Sequence, residues 1–529
     1  MKLGSSLSSN RAVLPALGQA PPPQAETLSC ADSAVIAGEL TEVETPKWVA
    51  LPSSSSGPLA RLPGQAAIRQ ELGKLVDDLA QGKAPTASSF LLQGNSGSGK
   101  STLVQALQDQ AQSQGVACLS FNSADLLGGE AGSKIREAFA QAESLAGQGR
   151  SLLVLDDVDV LAPVRRADGK ASDHAHLMTL TRLLKSSPKV VVVATTSERS
   201  SMDLEATEAL QRHLVLVDPA NASERRAIID YAVRENGWSA EPQALAQMAE
   251  ATPGMLPGKL LRILRAAASS PQGITAQSAL HARLNEKFGA VKPLPADYTE
   301  WMLRMTVGHE LGHVVVRHFF QQMAQRPDQM PQAIDAVSFV PRQSSTADVF
   351  LKPVQGNPTV TFETLFADAA SNLAGREAER LLHDGHTSIG PAGDISFATA
   401  GIQKAVRVQG MGKRSGPFNP TANDNKLQLS LADQDEHDLL QATQSVAASL
   451  VKFYQPFLES FGLQMAQHMH SPERLVIDGK ELLAQVSDWE KADPKRHQAL
   501  GRMMTWARQK MEDLKPKPVE VFDPYQASS

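Results

Sequence analysis

His309-Glu310-Leu311-Gly312-His313 sets two imidazoles one helical turn apart, on one face of a helix, with a carboxylate beside the first of them. Two rings so placed can hold one zinc ion, and an adjacent glutamate can take the proton of a water activated there. His309 and His313 are therefore candidate ligands and Glu310 the candidate base for hydrolysis of a peptide bond. Upstream, Gly94-Asn95-Ser96-Gly97-Ser98-Gly99-Lys100-Ser101 fits GxxxxGK[ST]. Backbone N–H groups of such a loop wrap phosphates, Lys100 reaches the β- and γ-phosphates of ATP, Ser101 ligates magnesium, and Thr102 follows in the first turn of the next helix. The two motifs in one chain imply a zinc hydrolase coupled to ATP and acting on polypeptides.

Each site needs further groups. Leu152-Leu153-Val154-Leu155-Asp156-Asp157 is an apolar strand ending in two acids, of which Asp156 suits the magnesium shell and Asp157 the orientation of the attacking water. The zinc site lacks a third ligand on its own helix. A metzincin would carry Gly and His where Val316 and Phe319 stand, and His318 falls on a different helix face from His309 and His313. The ligand must come from elsewhere in the chain.

These groups require a scaffold, and the apolar periodicity supplies one. A helix over Ala66–Leu79, a strand over Ser89–Leu92 and a helix from Lys100 make a βα unit around the glycine loop. Further buried runs at Ala117–Phe121, Leu152–Leu155, Val190–Ala194 and Leu214–Val217, spaced by helical segments, predict an α/β domain with a parallel sheet and helices on both faces. The expected order is a Ser/Pro-rich disordered leader (1–60), this nucleotide-binding domain (61–218), and a small helical lid (219–275) broken at Thr252-Pro253-Gly254 and Pro257-Gly258. A polar linker (276–296), a mainly α-helical hydrolase domain (297–514) and a loose tail (515–529) follow.

Composition narrows the partners. The 529 residues are 42% hydrophobic, enough for several cores, and the net charge of -6 without any Lys/Arg block argues against nucleic acid. Two cysteines, Cys30 and Cys118, far apart in sequence, fit a reducing compartment, with the cytoplasm expected. No apolar stretch approaches the length of a membrane span and no signal-peptide core is present, so a soluble chain is expected. The polar N-terminal stretch leaves room for an export address.

The nucleotide half resembles the AAA+ ATPases. Leu62-Pro63-Gly64-Gln65 is similar to the segment before their first helix, Val190-Val191-Val192-Val193-Ala194-Thr195-Thr196 to the sensor-1 strand, and Gly258-Lys259-Leu260 occupies the sensor-2 region. The resemblance implies nucleotide contacts at Thr196 and Lys259, and Arg212 in Gln211-Arg212-His213-Leu214 as the candidate arginine finger toward a neighbouring subunit. Asp157 stands where the family has Glu, and Thr196 where it has Asn, which points to ATP binding ahead of ATP turnover. The pore stretch Asp125-Leu126-Leu127-Gly128-Gly129-Glu130 has no aromatic, leaving Leu126 and Leu127 to grip a threaded chain.

The second half resembles the FtsH peptidase domain. Leu373-Ala374-Gly375-Arg376-Glu377-Ala378-Glu379-Arg380 looks like its Gly-Gly-Arg-Ala-Ala-Glu-Glu helix. Thr387-Ser388-Ile389-Gly390-Pro391-Ala392-Gly393-Asp394 looks like its Thr-Thr-Gly-Ala-Ser-Asn-Asp segment, and Gly410-Met411-Gly412 its Gly-Met-Ser stretch. That likeness implies Asp394 as third zinc ligand, with Glu379 the alternative; His383 and His386 are expected in a solvated loop. It implies Zn2+ and ATP with Mg2+ as cofactors, polypeptide substrates, and a homo-hexameric ring. Two other readings stay open: a nucleotide-gated ring scaffold or remodelling factor with weak or no hydrolysis, and a zinc protease that uses ATP only structurally.

Overall fold

Five short apolar runs, β1 (Ser89–Gln93), β2 (Cys118–Asn122), β3 (Ser151–Asp156), β4 (Val190–Thr196) and β5 (Arg212–Val215), pair in parallel in the order β2-β3-β4-β1-β5. The computed structural model describes residues 57–128, 130–164, 175–219, 221–343, 347–352, 360–418 and 426–516. The stretch 1–56 of the expected leader, Gly129 of the pore stretch and the tail beyond 516 lie outside the described residues. Period-two alternation along the strands feeds two cores. Phe90, Leu92, Val154 and Val193 pack on one face with α1 (Pro58–Arg61), α2 (Ala66–Ala80) and α3 (Lys100–Ser113). Leu91, Leu153, Leu155 and Val192 pack on the other with α4 (Ala131–Ala146), α5 (Ala175–Ser186) and α6 (Leu204–Ala209). Leu59 of α1 is buried, so the packed domain begins a few residues before 61.

Four helices follow: α7 (Ala222–Asn236), α8 (Pro242–Glu250), α9 (Pro257–Ala268) and α10 (Ala276–Phe288). Pro242 and Pro257 open α8 and α9, where a missing N–H costs nothing. The stretch expected as a linker is thus helical over most of its length, started by a Thr275–Ser278 capping box. Its polar composition hides two narrow apolar stripes. Ala279 and Ala282 enter the lid core, while Leu280 and Leu284 enter the core of the C-terminal half. Arg283, between them, makes a buried ion pair with Asp335.

The C-terminal half is built on α11 (Glu300–Met323), α12 (Phe362–Leu382), α13 (Ala392–Arg407), α14 (Lys426–Ala466), α15 (Gly479–Lys491) and α16 (Pro494–Glu512). It also contains an antiparallel sheet that periodicity did not disclose, β6 (Ile334–Ser338), β7 (Asp348–Leu351) and β8 (Val476–Asp478), in the order β7-β6-β8. α11 is buried on almost every side and crosses α12 closely. A side chain at Gly312 would bring its Cβ within 2.6 Å of the Ala374 carbonyl oxygen, so glycine sets that crossing distance. No helix among the described residues is long and apolar enough to cross a membrane.

Candidate active site and nucleotide site

α11 presents His309 and His313 on the face that meets α12, with Glu310 buried alongside. The Nε2 atoms of the two rings lie 3.0 Å apart, and Asp394 Oδ2, from the first turn of α13, stands 3.2 Å from His309 Nε2 and 3.5 Å from His313 Nε2. The other ring nitrogens are occupied. His313 Nδ1 is 2.7 Å from the Ser371 carbonyl and His309 Nδ1 is 2.8 Å from Glu379 Oε1, both acceptors, so each Nδ1 carries the hydrogen and each Nε2 a lone pair. Two lone pairs and a carboxylate oxygen at these separations repel unless a cation lies among them or a ring takes a proton. Burial opposes a charged ring, yet Asp394 and Glu379 outweigh it and raise His309 to about 10. Burial likewise opposes ionised Asp394, but both rings hold its carboxyl well below the usual range. One divalent cation would satisfy all three groups, and a two-imidazole, one-carboxylate set with its second nitrogens tied back fits zinc.

Glu379, the alternative ligand, faces the other side of His309. It accepts from His309 Nδ1–H, from Ser388 N–H at 2.6 Å and from Ser388 Oγ at 2.8 Å. A single buried carboxylate therefore ties α11, α12 and the loop that delivers Asp394. Its neighbour Glu377 is buried too, bound by Arg376, Arg380 and Gln444. His386 is exposed on the loop as expected, whereas His383 is buried, its ring edge-on to Trp301. Residue type does not reveal the part played by Ser371, which acts through its backbone carbonyl, or by Ser388, whose N–H and hydroxyl donate to an acid brought to it by the fold.

Glu310 lies on the floor of a cleft of about 830 Å³ shared by α11, β7 and the start of α13. Burial pushes its carboxyl up to about 7, Asp348 and Asp394 adding to the rise and the two rings opposing it. Such a group can take and return a proton near neutrality.

At the nucleotide site, the register of the sheet brings the C-terminal ends of β1, β3 and β4 together. Gly99 closes the loop at φ 100, a conformation costly for any side chain, and no side chain caps α3. Its first-turn N–H groups are left for an anion. Asn95, Ser96, Gly97, Ser101 and Thr102 are exposed around that turn, while Ser98 Oγ is buried without a hydrogen-bond partner among the described residues. Lys100 Nζ donates to Gly94 O (2.6 Å), Asn95 O (3.4 Å) and Ser197 Oγ (3.2 Å), and among the described residues it forms no ion pair. Asp156 accepts from the Thr195 hydroxyl, which itself accepts from Asp157 N–H at 2.9 Å. Burial and the neighbouring Asp156 and Asp159 raise Asp157, and Lys100 opposes them. These groups suit a magnesium–ATP phosphate chain.

Of the other expected residues, Lys259 is on a helix that meets the glycine loop, whereas Thr196 and Arg212 bond elsewhere. Thr196 turns to its own loop, accepting from Glu198 N–H at 3.1 Å, so Thr195 is the β4 residue that meets the acids. Lys259 sits in the first turn of α9, which touches the glycine loop through Gly258 N–H to Gly97 O at 2.8 Å. Arg212 lies at the opposite end of the sheet from the loop, bound to Glu71 of α2 at 2.6 Å and 3.0 Å. Reaching a neighbour's nucleotide would require that exposed pair to open. Leu126 is buried in the core beneath β3, so it does not project to grip a chain; Leu127 is half-buried.

Comparison with known proteins covers both halves. Residues 90–216 match the ATPase family associated with various cellular activities (AAA), and residues 299–454 match peptidase family M41. The chain is 27% identical over 453 residues to the ATP-dependent zinc metalloprotease FtsH 2 of Sphaerobacter thermophilus, covering 80% of this chain and 65% of that protein. It is 24% identical over 476 residues to FtsH 3 of Symbiobacterium thermophilum (85% and 72% covered) and 24% over 429 residues to the chloroplastic FTSH 9 of Arabidopsis thaliana (74% and 51%). It thus spans 51% to 72% of the length of these three relatives.

Proposed function

The chain belongs to the FtsH-type AAA+ zinc metalloproteases, whose cofactors are Zn2+ and ATP with Mg2+, and on that premise we propose that it is an ATP-dependent zinc endopeptidase. The observation that carries the reading is the convergence of His309 Nε2, His313 Nε2 and Asp394 Oδ2, lone pairs inward, at the floor of an open cleft beside Glu310. Zinc held there would supply a Lewis acid that polarises the scissile carbonyl and makes water acidic. Glu310 takes the proton of the attacking water and returns it to the leaving amine. Glu379 fixes the His309 ring by accepting its Nδ1–H, and Ser371 O does the same for His313. Lys100 and the N-terminus of α3 bind the ATP phosphates and Asp156 the magnesium shell, with subunits assembled as a hexameric ring that delivers polypeptide to the cleft.

A second reading, a zinc peptidase that cuts unfolded segments and uses ATP to hold the ring together, draws support from Thr196 turned aside and Leu126 buried. One experiment separates them. Degradation of an unfolded and a tightly folded protein is followed with wild type, Glu310→Gln and Lys100→Ala. Loss of Glu310 slows both substrates by at least about a hundredfold. Lys100→Ala abolishes only degradation of the folded substrate if ATP powers unfolding, and impairs both if ATP serves assembly. Unchanged cleavage by Glu310→Gln would end the peptidase reading.

A further inference from the structure

Asp348, the first residue of β7, lines the cleft but has no part in holding the two histidines. Among the described residues β7 is the outer strand of its sheet, paired to β6 alone, and Asp348, Val349 and Leu351 border the cleft. Its free edge offers N–H and C=O groups to an extended polypeptide. Packing pins the strand from behind: Phe350 is buried and stacks on Phe288 of α10 at 4.2 Å. The Asp348 carboxylate is therefore set by a core contact, within electrostatic reach of His313 and Asp394.

Its charge is unanswered. Among the described residues Asp348 forms no ion pair; of the two bases that influence it, His313 faces the cation-holding groups and Lys287 is engaged over the Phe288 ring. Among the described residues the cleft is lined by four carboxylates, Glu310, Asp348, Glu379 and Asp394, against a single permanently charged base, Arg317, which already pairs with Asp368. Asp348 is the one of these acids that neither meets an imidazole of the cation-holding group nor stands next to it in the helix.

We infer that Asp348 is a specificity-determining residue that selects basic side chains in the substrate. This rests on the peptidase reading above. A polypeptide laid along β7 sets a Lys or Arg against Asp348, and cleavage falls at bonds flanking such a residue, while an acidic side chain in that place meets like charge.

The test maps every cleavage site in an unfolded, Cys-free protein by mass spectrometry for wild type, Asp348→Asn and Asp348→Lys. Wild type is expected to favour Lys or Arg over Asp or Glu, at one position beside the scissile bond, by about tenfold. Asp348→Asn brings the ratio near unity, and Asp348→Lys reverses it, which a merely structural role would not do. An identical site distribution in all three overturns the inference. Binding provides an arm that needs no turnover. Glu310→Gln, with and without Asp348→Lys, is titrated with fluorescein-labelled alanine-rich peptides carrying one central Lys or Glu. A Lys preference that Asp348→Lys inverts supports the inference even if wild type cuts nothing, in which case the peptidase reading alone fails. Equal affinity for both peptides in the two chains overturns the inference and leaves the peptidase reading standing.

Discussion

Gly375 offers the sharpest probe of how the metal-binding groups are held. It lies on α12 where that helix backs onto α11, and a Cβ there would stand 2.7 Å from His309 Nε2, His309 Cε1 and His313 Nε2 alike. The rings cannot slide aside freely, because their Nδ1 atoms are anchored 2.8 Å from Glu379 and 2.7 Å from Ser371 O. Nor can α12 approach at another height, since Gly312 already meets Ala374 at the crossing. Gly375→Ala therefore puts a methyl into the space the donors share, at an overpacking cost of about 1–3 kcal/mol. At 1.4 kcal/mol per factor of ten, zinc affinity falls by roughly tenfold to a hundredfold. Alanine is at the same time a better helix former than glycine by about 1 kcal/mol, so the zinc-free protein gains helix stability that offsets part of the crowding. Chelator competition reads the first quantity and thermal unfolding of the zinc-free chain the second. Zinc affinity equal to wild type in Gly375→Ala would refute the reasoning, because it would mean that the three donors do not converge beside α12.

Replacing Glu379 by Gln keeps its size but removes the charged acceptor for His309 Nδ1–H and Ser388; zinc affinity is expected to fall about tenfold to a hundredfold in the same competition assay. Arg283→Met strands Asp335 in the core at a cost of about 3–5 kcal/mol, read from denaturant unfolding, whereas the double change Arg283→Met/Asp335→Leu restores most of it. Glu490 is buried, and although burial opposes its charge, bonds from His318, Tyr454 (2.6 Å) and Gln322 (2.8 Å) hold its carboxyl below the usual range. A carboxyl depressed in the folded state stabilises above its unfolded pKa of about 4 and loses that contribution as pH falls through the folded value. Glu490→Gln should accordingly melt lower than wild type at neutral pH, with the gap closing in acid; a gap that does not vary with pH would contradict this account.

The parts of the chain legible from sequence are those whose geometry is local. Spacing along one helix puts His309, Glu310 and His313 together, a glycine loop between strand and helix makes the phosphate cradle, and strands buried on both faces appear as unbroken apolar runs. α10 escaped because two cores each take only half of a narrow apolar face, leaving a composition that looks like a linker. β6, β7 and β8 escaped because strands of three to five residues carry too few periods to stand out against the helices around them.

Residue type and spacing settled on their own the classes of chemistry open to this chain, because a helical turn and a phosphate loop bring their groups together without help from the rest of the fold. Tertiary packing decided which carboxylate faces the two imidazoles and which stands behind them, that Thr195 and not Thr196 meets Asp156, that Leu126 is core, and that Asp348 borders the cleft. Asp394 and Glu379 are both acids a similar distance downstream of the histidines; no local pattern ranks them. The close crossing at Gly312 and the loop drawn in by Ser388 separate their roles, since which atoms meet across a helix–helix contact depends on the path of the whole chain.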